Sequence, residues 1–401
     1  MWLRGLPGVP GERWAPRPHP IAEHVAVRGP FDAVSTIRCG FVDAVRAGWP
    51  FLHRAWGCGR WRRCVALSGQ CGGMQGETDL DRARRMLYRR ADLLDRGVAE
   101  AALRRAGVEG AWHRLCPGVY VDRRLYAPLR PAERHLLSVV AAVDQARGAI
   151  GVVSHLSAAV LHGLPLYRFD AERVAVTVAA TAHPPSGPRV RRHTDALHDG
   201  DVVEISGIRC TSMDRTIIDV ARTEPLEAAL SCADAALRRE VMTGRRFDSA
   251  AQDEWRERMR IRTARAAGSR GIRNARRIVE FADGRAELPG ESVSRLQLHR
   301  LGFRDLDLQV PVEGPHRSMY YVDLALREVK TFWEFDGEVK YRDAAMRKGG
   351  SVEDVLLQEK RREDWIRGST QWRLCRGGFS DIATPETLAR RLAAFGVRSP
   401  R

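Results

Sequence analysis

The spacing of apolar positions changes character several times along the chain. Residues 1 to 73 hold no helical or alternating pattern for more than a few residues, and Pro7, Pro10, Pro16, Pro18, Pro20, Pro30 and Pro50 interrupt them, so they predict neither helix nor strand. From residue 80 the pattern becomes that of short amphipathic helices, with Leu87, Leu93 and Leu94 before Gly97, then Val98, Ala101, Ala102, Leu103 and Ala106 before Gly107. Two short helices around a glycine turn predict a helix-turn-helix. Trp112 to Val121, with Pro117-Gly118 at its centre, predicts two strands forming a wing. Residues 131 to 240 alternate between a helix at 131–146, strands at 174–178, near Val190 and over 202–210, and an Ala-rich helix carrying Leu226, Leu230 and Leu237. Over 255–280 the apolar positions Met259, Ile261, Ile272, Ile278 and Val279 are sparse, with gaps at Gly268 and Gly271, which predicts a helical connector. Pro289-Gly290-Glu291 then opens a helix that stops at Gly302, and residues 320–341 predict a hairpin. The expected map is an extension at 1–73, a winged helix-turn-helix at 80–128, a small α/β middle domain at 131–240, a connector at 241–283 and a further domain at 284–396, giving a mixed α/β (α+β) chain.

Composition sharpens this picture. The chain has 401 residues, 44% of them hydrophobic, enough for sizeable cores and two or three domains. No apolar run reaches the roughly 18 to 20 residues of a membrane span. Lys+Arg 66 against Asp+Glu 50 leaves a net charge of +16, an excess that suits a polyanion and makes DNA the expected partner. Eight cysteines without a regular framework suit a reducing, cytoplasmic compartment. The extension is the exception, with five of the 10 Trp and four of the 8 Cys but only four acidic residues. A zinc site from Cys39, Cys58, Cys64 and Cys71 is disfavoured because no C-x2-C knuckle is present. The preferred expectation is a start assigned too far upstream, with the true beginning near Met74 or Met86. The only lysines, Lys330, Lys340, Lys348 and Lys360, fall in one 31-residue window. Either the chain favours arginine and the clustering in a solvated segment is chance, or the window needs an ammonium for chemistry, since guanidinium never loses its proton whereas ammonium can.

The hairpin supplies that chemistry. A turn centred between Glu328 and Val329 sets Asp323 directly opposite Glu334 on one face. Like charges there destabilise a sheet unless one carboxyl has a raised pKa or a cation lies between them, and a solvated face paired to neighbouring arginines is the alternative. Oxygen ligands without His or Cys beside them select magnesium or manganese over zinc. Asp336 shares the Glu334 face, and Glu291 can approach from its helix. Such a metal would polarise a phosphodiester and lower the pKa of a bound water. Lys340 is the expected aid to that step, and Lys360, Arg361 and Arg362 are expected to grip phosphate. On the second helix and the wing, Arg104, Arg105 and Arg114 are the expected DNA contacts. His155 and His162 share one helical face but have no carboxylate beside them, so they are read as capping or core histidines.

PGVYV, SHLSAAVLHGLPL (154–166) and TSMDRTIIDVA together resemble the AbiEi-type antitoxin family of actinobacteria over residues 82 to 240. The resemblance implies a DNA-binding, repressor-like N-terminal domain, with Ser212, Arg215 and Asp219 organising the middle one. The order helix-Glu, strand-Asp, strand-Glu over 284–396 resembles the PD-(D/E)XK nuclease superfamily, in particular its Vsr-like branch. That resemblance implies Glu291 as the helix glutamate, Asp323 as the central aspartate and Glu334 as the acidic residue of the (D/E)-X-K element. Asp336 stands where that element has lysine. Three functions stay open: a divalent-metal-dependent DNA endonuclease, a non-catalytic antitoxin or repressor whose nuclease-like domain only binds DNA, and an antitoxin acting through contacts with a cognate toxin protein.

Overall fold

The computed structural model describes residues 79–106, 110–146, 150–169, 173–179, 185–337 and 352–400. The expected extension, its cysteines, Met74, Lys340 and Lys348 lie outside the described residues. The fold is mixed α/β, built on several small sheets.

Helix α1 (Asp79–Met86) leads into β1 (Tyr88–Arg89), α2 (Arg90–Asp95) and α3 (Glu100–Arg104), followed by β2 (Trp112–Cys116), β3 (Val119–Asp122) and α4 (Arg123–Tyr126). The strands form an antiparallel sheet in the order β1-β3-β2. Leu93, Leu103 and Tyr120 bury one another between the two short helices and the sheet. The expected helix pair and Pro-Gly hairpin are therefore local structure that burial reinforces, because each helix is too short to persist alone.

Helix α5 (Pro131–Gln145) starts with proline in its first turn, and Glu133 accepts the Arg130 N–H at 2.7 Å. Strands β4 (Val152–Val153), β5 (Val174–Val178), β6 (Val190–Thr194), β7 (Val202–Ile205) and β8 (Ile208–Thr211) form a mixed sheet in the order β6-β5-β4-β8-β7, with α6 (His155–Leu161) after β4. The single strand expected over 202–210 is a hairpin instead. Ser206 (φ 47°) and Gly207 (φ 81°) are both left-handed, which matches a two-residue turn to the twist of the strands. Leu80, Leu115 and Val121 share one core with Leu137, Val153, Val176 and Cys210, so the 80–128 and 131–240 segments are welded rather than strung together. His155 stacks on His193 at 3.7 Å, and the His162 ring bonds the Thr211 carbonyl at 2.7 Å; both are packing histidines.

Helices α7 (Met213–Thr223) and α8 (Leu226–Val241) precede the short hairpin β9 (Met242–Thr243) and β10 (Arg246–Phe247), then α9 (Ser249–Arg265) and α10 (Ile272–Phe281). The expected basic connector at 241–283 is a correction. Trp255, Met259, Ile272, Ala275, Ile278 and Val279 are buried against Leu230, Ala233 and Leu237, so this segment is core. A few apolar residues per helix suffice when they lie at i, i+4 or i, i+3 on one face. Several of its arginines are held internally, Arg258 by Asp214 and Glu240, Arg260 by Glu280, and Arg262 by Asp201.

The C-terminal part comprises α11 (Pro289–Arg300), β11 (Leu306–Glu313), β12 (Met319–Leu326), β13 (Thr331–Phe335), α12 (Val352–Thr370), β14 (Arg373–Gly377) and α13 (Pro385–Ala394). The sheet order is β11-β12-β13-β14, antiparallel except for the parallel β13–β14 pair. One face packs Leu308, Leu324, Trp333 and Phe335 with Val293 and Leu298 of α11; the other packs Val310, Val322, Ala325, Phe332 and Leu374 with Ile366 of α12. No described helix is long and apolar enough to cross a membrane.

Candidate functional site

Helix α11 delivers Glu291 onto the sheet because Gly290 has no side chain. A Cβ there would run into the Phe335 ring, so only glycine lets the first turn lie this close to β13. Glu291 is 1% exposed. Its Oε2 accepts hydrogen bonds from the Glu287 N–H at 2.9 Å and from the Gln309 amide at 3.0 Å. Burial first, and the charge of Asp323 second, push its carboxyl pKa up to about 8.

Asp323 reaches Glu291 through a change of face within the sheet. Leu308 and Leu324 point to the α11 side, whereas Val310 and Val322, two residues away along each strand, point to the α12 side. A regular strand keeps i and i+2 on one face. The ladder skips the position between them, occupied by Gln309 and Asp323, and Gln309 adopts φ 51°. Both strands thus turn over at one point, which aims the Gln309 amide at Glu291. Gln309 is not recognisable in the sequence, since the alternation Leu306, Leu308, Val310, Val312 reads as an unbroken strand.

The expected hairpin register is present, with Leu324 opposite Trp333 and Leu326 opposite Thr331. One step further along, Asp323 and Glu334 do not simply confront each other. Asp323 Oδ2 accepts the Phe335 N–H at 2.8 Å. Glu334, 8% exposed, receives Arg362 Nη2 on Oε1 at 2.6 Å and Arg376 Nη2 on Oε2 at 2.9 Å. Arg362 also donates to the Tyr321 carbonyl at 2.7 Å and to Glu359 at 3.1 Å, and Arg376 also pairs with Glu359. Two expectations are corrected here. Guanidinium groups balance the charge of Glu334, and Arg362 faces inward instead of outward with its neighbours Lys360 and Arg361, which are exposed. The reason is helical geometry: Arg362 lies one turn from the buried Ile366, while positions 360 and 361 fall on the opposite side. Arg376 carries no signal in the sequence because its partner is remote along the chain.

Asp336 is half-buried just beyond β13, and its N–H donates to the Gly377 carbonyl at 2.9 Å. Among the described residues no group of three or more His, Cys, Asp or Glu is arranged to hold a metal ion. The donor chemistry that fits a hard divalent cation is the Glu291–Asp323 pair, whereas both Glu334 oxygens are engaged.

Away from this site, Arg104 ends α3, Arg105 follows it and Arg114 lies on β2; all three are exposed. His113 stacks on Tyr126 at 4.1 Å, and burial, then Arg123, Arg134 and Arg189, push its pKa down. Arg189, which the sequence does not single out, is exposed. Arg215 is 8% exposed and pairs with Asp195 at 2.9 Å, Asp201 at 3.2 Å and Asp219 at 2.9 Å. It ties α7 to the loop before β7, the organising part expected of that motif. Burial raises the Asp219 pKa to about 6 against the opposing pull of Arg215. Ser212 precedes α7.

No protein-family model matches the chain. Two uncharacterized proteins of Mycobacterium tuberculosis, MT2308 and Rv2248, are each similar to it at 28% identity over 255 residues, which is 61% of this chain and 79% of theirs.

Proposed function

We propose that this is a DNA-binding protein whose C-terminal sheet is a divalent-metal-dependent endonuclease site of the Vsr-like PD-(D/E)XK kind. The observation that supports it is the meeting of Glu291 and Asp323 where β11 and β12 turn over. Two carboxylates, one from a helix and one from a strand, interact there beside the left-handed backbone of Gln309. Magnesium or manganese held by this pair would polarise a phosphodiester and acidify a bound water. The chain's own residues do the rest. Gln309 and the Glu287 N–H orient Glu291, the Phe335 N–H orients Asp323, and Lys360 and Arg361 stand exposed to bind phosphate. Water adds to phosphorus, one ester oxygen departs, and the proton released by the water goes to solvent or to that oxygen. Residues 80–128 are read as the winged helix-turn-helix that holds duplex DNA through Arg104, Arg105 and Arg114, and 131–240 as the AbiEi-like middle domain. Such a protein would work in the cytoplasm.

A second reading, a non-catalytic AbiEi-like repressor, is favoured by one observation: both oxygens of Glu334 are held by arginines. Nicking of supercoiled plasmid in magnesium, manganese or EDTA separates the two. Asp323→Asn keeps the acceptor for the Phe335 N–H and removes the charge, so it should fold and lose cleavage. Equal cleavage by wild type and variant would remove the site from this hairpin. Absence of cleavage by wild type in either metal favours the repressor.

A further inference from the structure

Arg245 belongs by sequence to the region of α8 to α10, yet it touches the C-terminal sheet. With Gly244 it makes the two-residue turn between β9 and β10, and its guanidinium lies 4.2 Å from the centre of the Tyr321 ring on β12. Tyr320 and Val322 pack towards α12, so Tyr321 between them points to the α11 side, where Glu291 lies. Tyr321 and Asp323 are two residues apart on one strand, a rise of about 7 Å.

The hairpin that carries Arg245 shares its mount with Glu291. Arg238 of α8 donates to the carbonyls of Gly284 and Arg285 and pairs with Glu287 at 2.7 Å, and the Glu287 N–H holds Glu291. A Cβ on Gly284 would strike Val241, the last residue before β9. Arg285 lies over the Phe247 ring of β10 at 5.4 Å and pairs with Asp307 of β11 at 2.6 Å. Both ends of the hairpin are thus fixed, one to the segment before α11 and the other to the edge strand of the sheet.

Arg245 itself is exposed, and none of the hydrogen bonds or ion pairs among the described residues involves it. Arg238, Arg285, Arg362 and Arg376, by contrast, spend N–H donors on carboxylates. Stacking on a ring uses the face of a guanidinium and leaves the donors in its plane free. A planar fork steadied in this way, with its donors unspent, matches two oxygens of a phosphate.

We propose that Arg245 holds a backbone phosphate of the DNA strand presented to Glu291 and Asp323, so that the β9–β10 hairpin completes the binding site of the C-terminal sheet. The proposal rests on the reading above, in which that pair acts on DNA. Arg245 is a binding residue and takes no part in bond making; it fixes where the strand lies along β12. Tyr321 is a positioning residue, since its ring keeps the guanidinium from sweeping through solvent.

The test is the salt dependence of duplex affinity for the full chain as wild type, Arg245→Gln and Arg245→Lys. The series is repeated with Arg104, Arg105 and Arg114 replaced by alanine, so that contacts elsewhere do not mask the difference. Arg245→Gln should flatten the slope by about one counterion, and Arg245→Lys should restore it, because the slope counts charge and not packing. Thermal melts establish that each variant is folded; should Arg245→Gln melt early, Arg245→Met, which keeps an apolar stem on the ring, takes its place. A slope that the neutral variant leaves unchanged in both backgrounds, or a flattening that lysine does not reverse, overturns the proposal and leaves the Glu291–Asp323 site standing. Plasmid nicking by the same proteins judges that site separately. Arg245→Gln should raise the DNA concentration for half-maximal cleavage more than it lowers the maximal rate. Wild type that cleaves in neither magnesium nor manganese overturns the endonuclease reading, while the salt slope still decides the phosphate contact.

Discussion

Gln309 lies opposite Asp323 at the point in the β11–β12 pair where both strands exchange the faces they bury. The left-handed backbone of Gln309 accomplishes the exchange and sends its amide to Glu291. A conformation of this kind costs of order 1–3 kcal/mol for a non-glycine residue, so surrounding contacts must hold it in place. The contacts present are the hydrophobic layers on either side of the sheet and the buried Glu291 carboxyl. The irregularity and the carboxylate pair are one structural feature.

The close seating of α11 makes Gly290 sensitive. Gly290→Ala would place a methyl group against the Phe335 ring, and overpacking of this kind costs about 1–3 kcal/mol. The variant should melt at a lower temperature and, because Glu291 is carried on the same turn, lose divalent-cation binding more than duplex binding. A melt and a calcium titration indistinguishable from wild type would contradict this placement of the helix.

Glu291 makes metal-free stability depend on pH. In the unfolded chain its carboxyl ionises near its ordinary value of 4.5, whereas in the folded protein it keeps its proton until about 8. Between those values the folded state binds more protons than the unfolded state, so this group's contribution to stability falls as pH rises through the window. Glu291→Gln should flatten the fall. Urea unfolding at several pH values in EDTA measures it, and parallel pH profiles for the two proteins would rule the assignment out.

Arg215 should be the most sensitive position of the middle region. Arg215→Met leaves Asp195, Asp201 and Asp219 with only Arg222 and Arg262 to offset them. Removing one partner from a buried ionic group costs about 3–5 kcal/mol. The loss should shrink as pH falls towards about 6 and below, where Asp219 takes up its proton. Denaturant unfolding at neutral and acid pH checks both size and sign; a loss well under about 1 kcal/mol would mean that Arg215 is not the organising residue.

DNA binding by the N-terminal part is testable through salt. Replacing Arg104, Arg105 and Arg114 together with alanine touches three exposed side chains, so folding should survive. Affinity for duplex should fall, and its salt slope should flatten by up to about three counterions. An unchanged slope would assign the binding to other cations, with Lys360 and Arg361 the first to examine.

Periodicity and turn chemistry are local, and what they encode was legible in the residues. The α5 start at Pro131, the α11 start at Pro289, the Pro117-Gly118 hairpin and the pairing of Leu324 with Trp333 all follow from spacing over short stretches of chain. Local spacing paired Asp323 with Glu334; that Asp323 and Glu291 interact was decided by the seating of α11 on the sheet. Partners of buried charge are a different matter. Glu334 meets Arg362 and Arg376 only because α12 and β14 pack beside β13, an arrangement that side-chain spacing does not specify. The connector expected at 241–283 became core for a similar reason: a few apolar residues per helix look sparse until α8 supplies the surface that buries them. The turnover at Gln309 is equally nonlocal, since an alternating strand keeps to one face unless layers on both sides of the sheet draw its two halves apart.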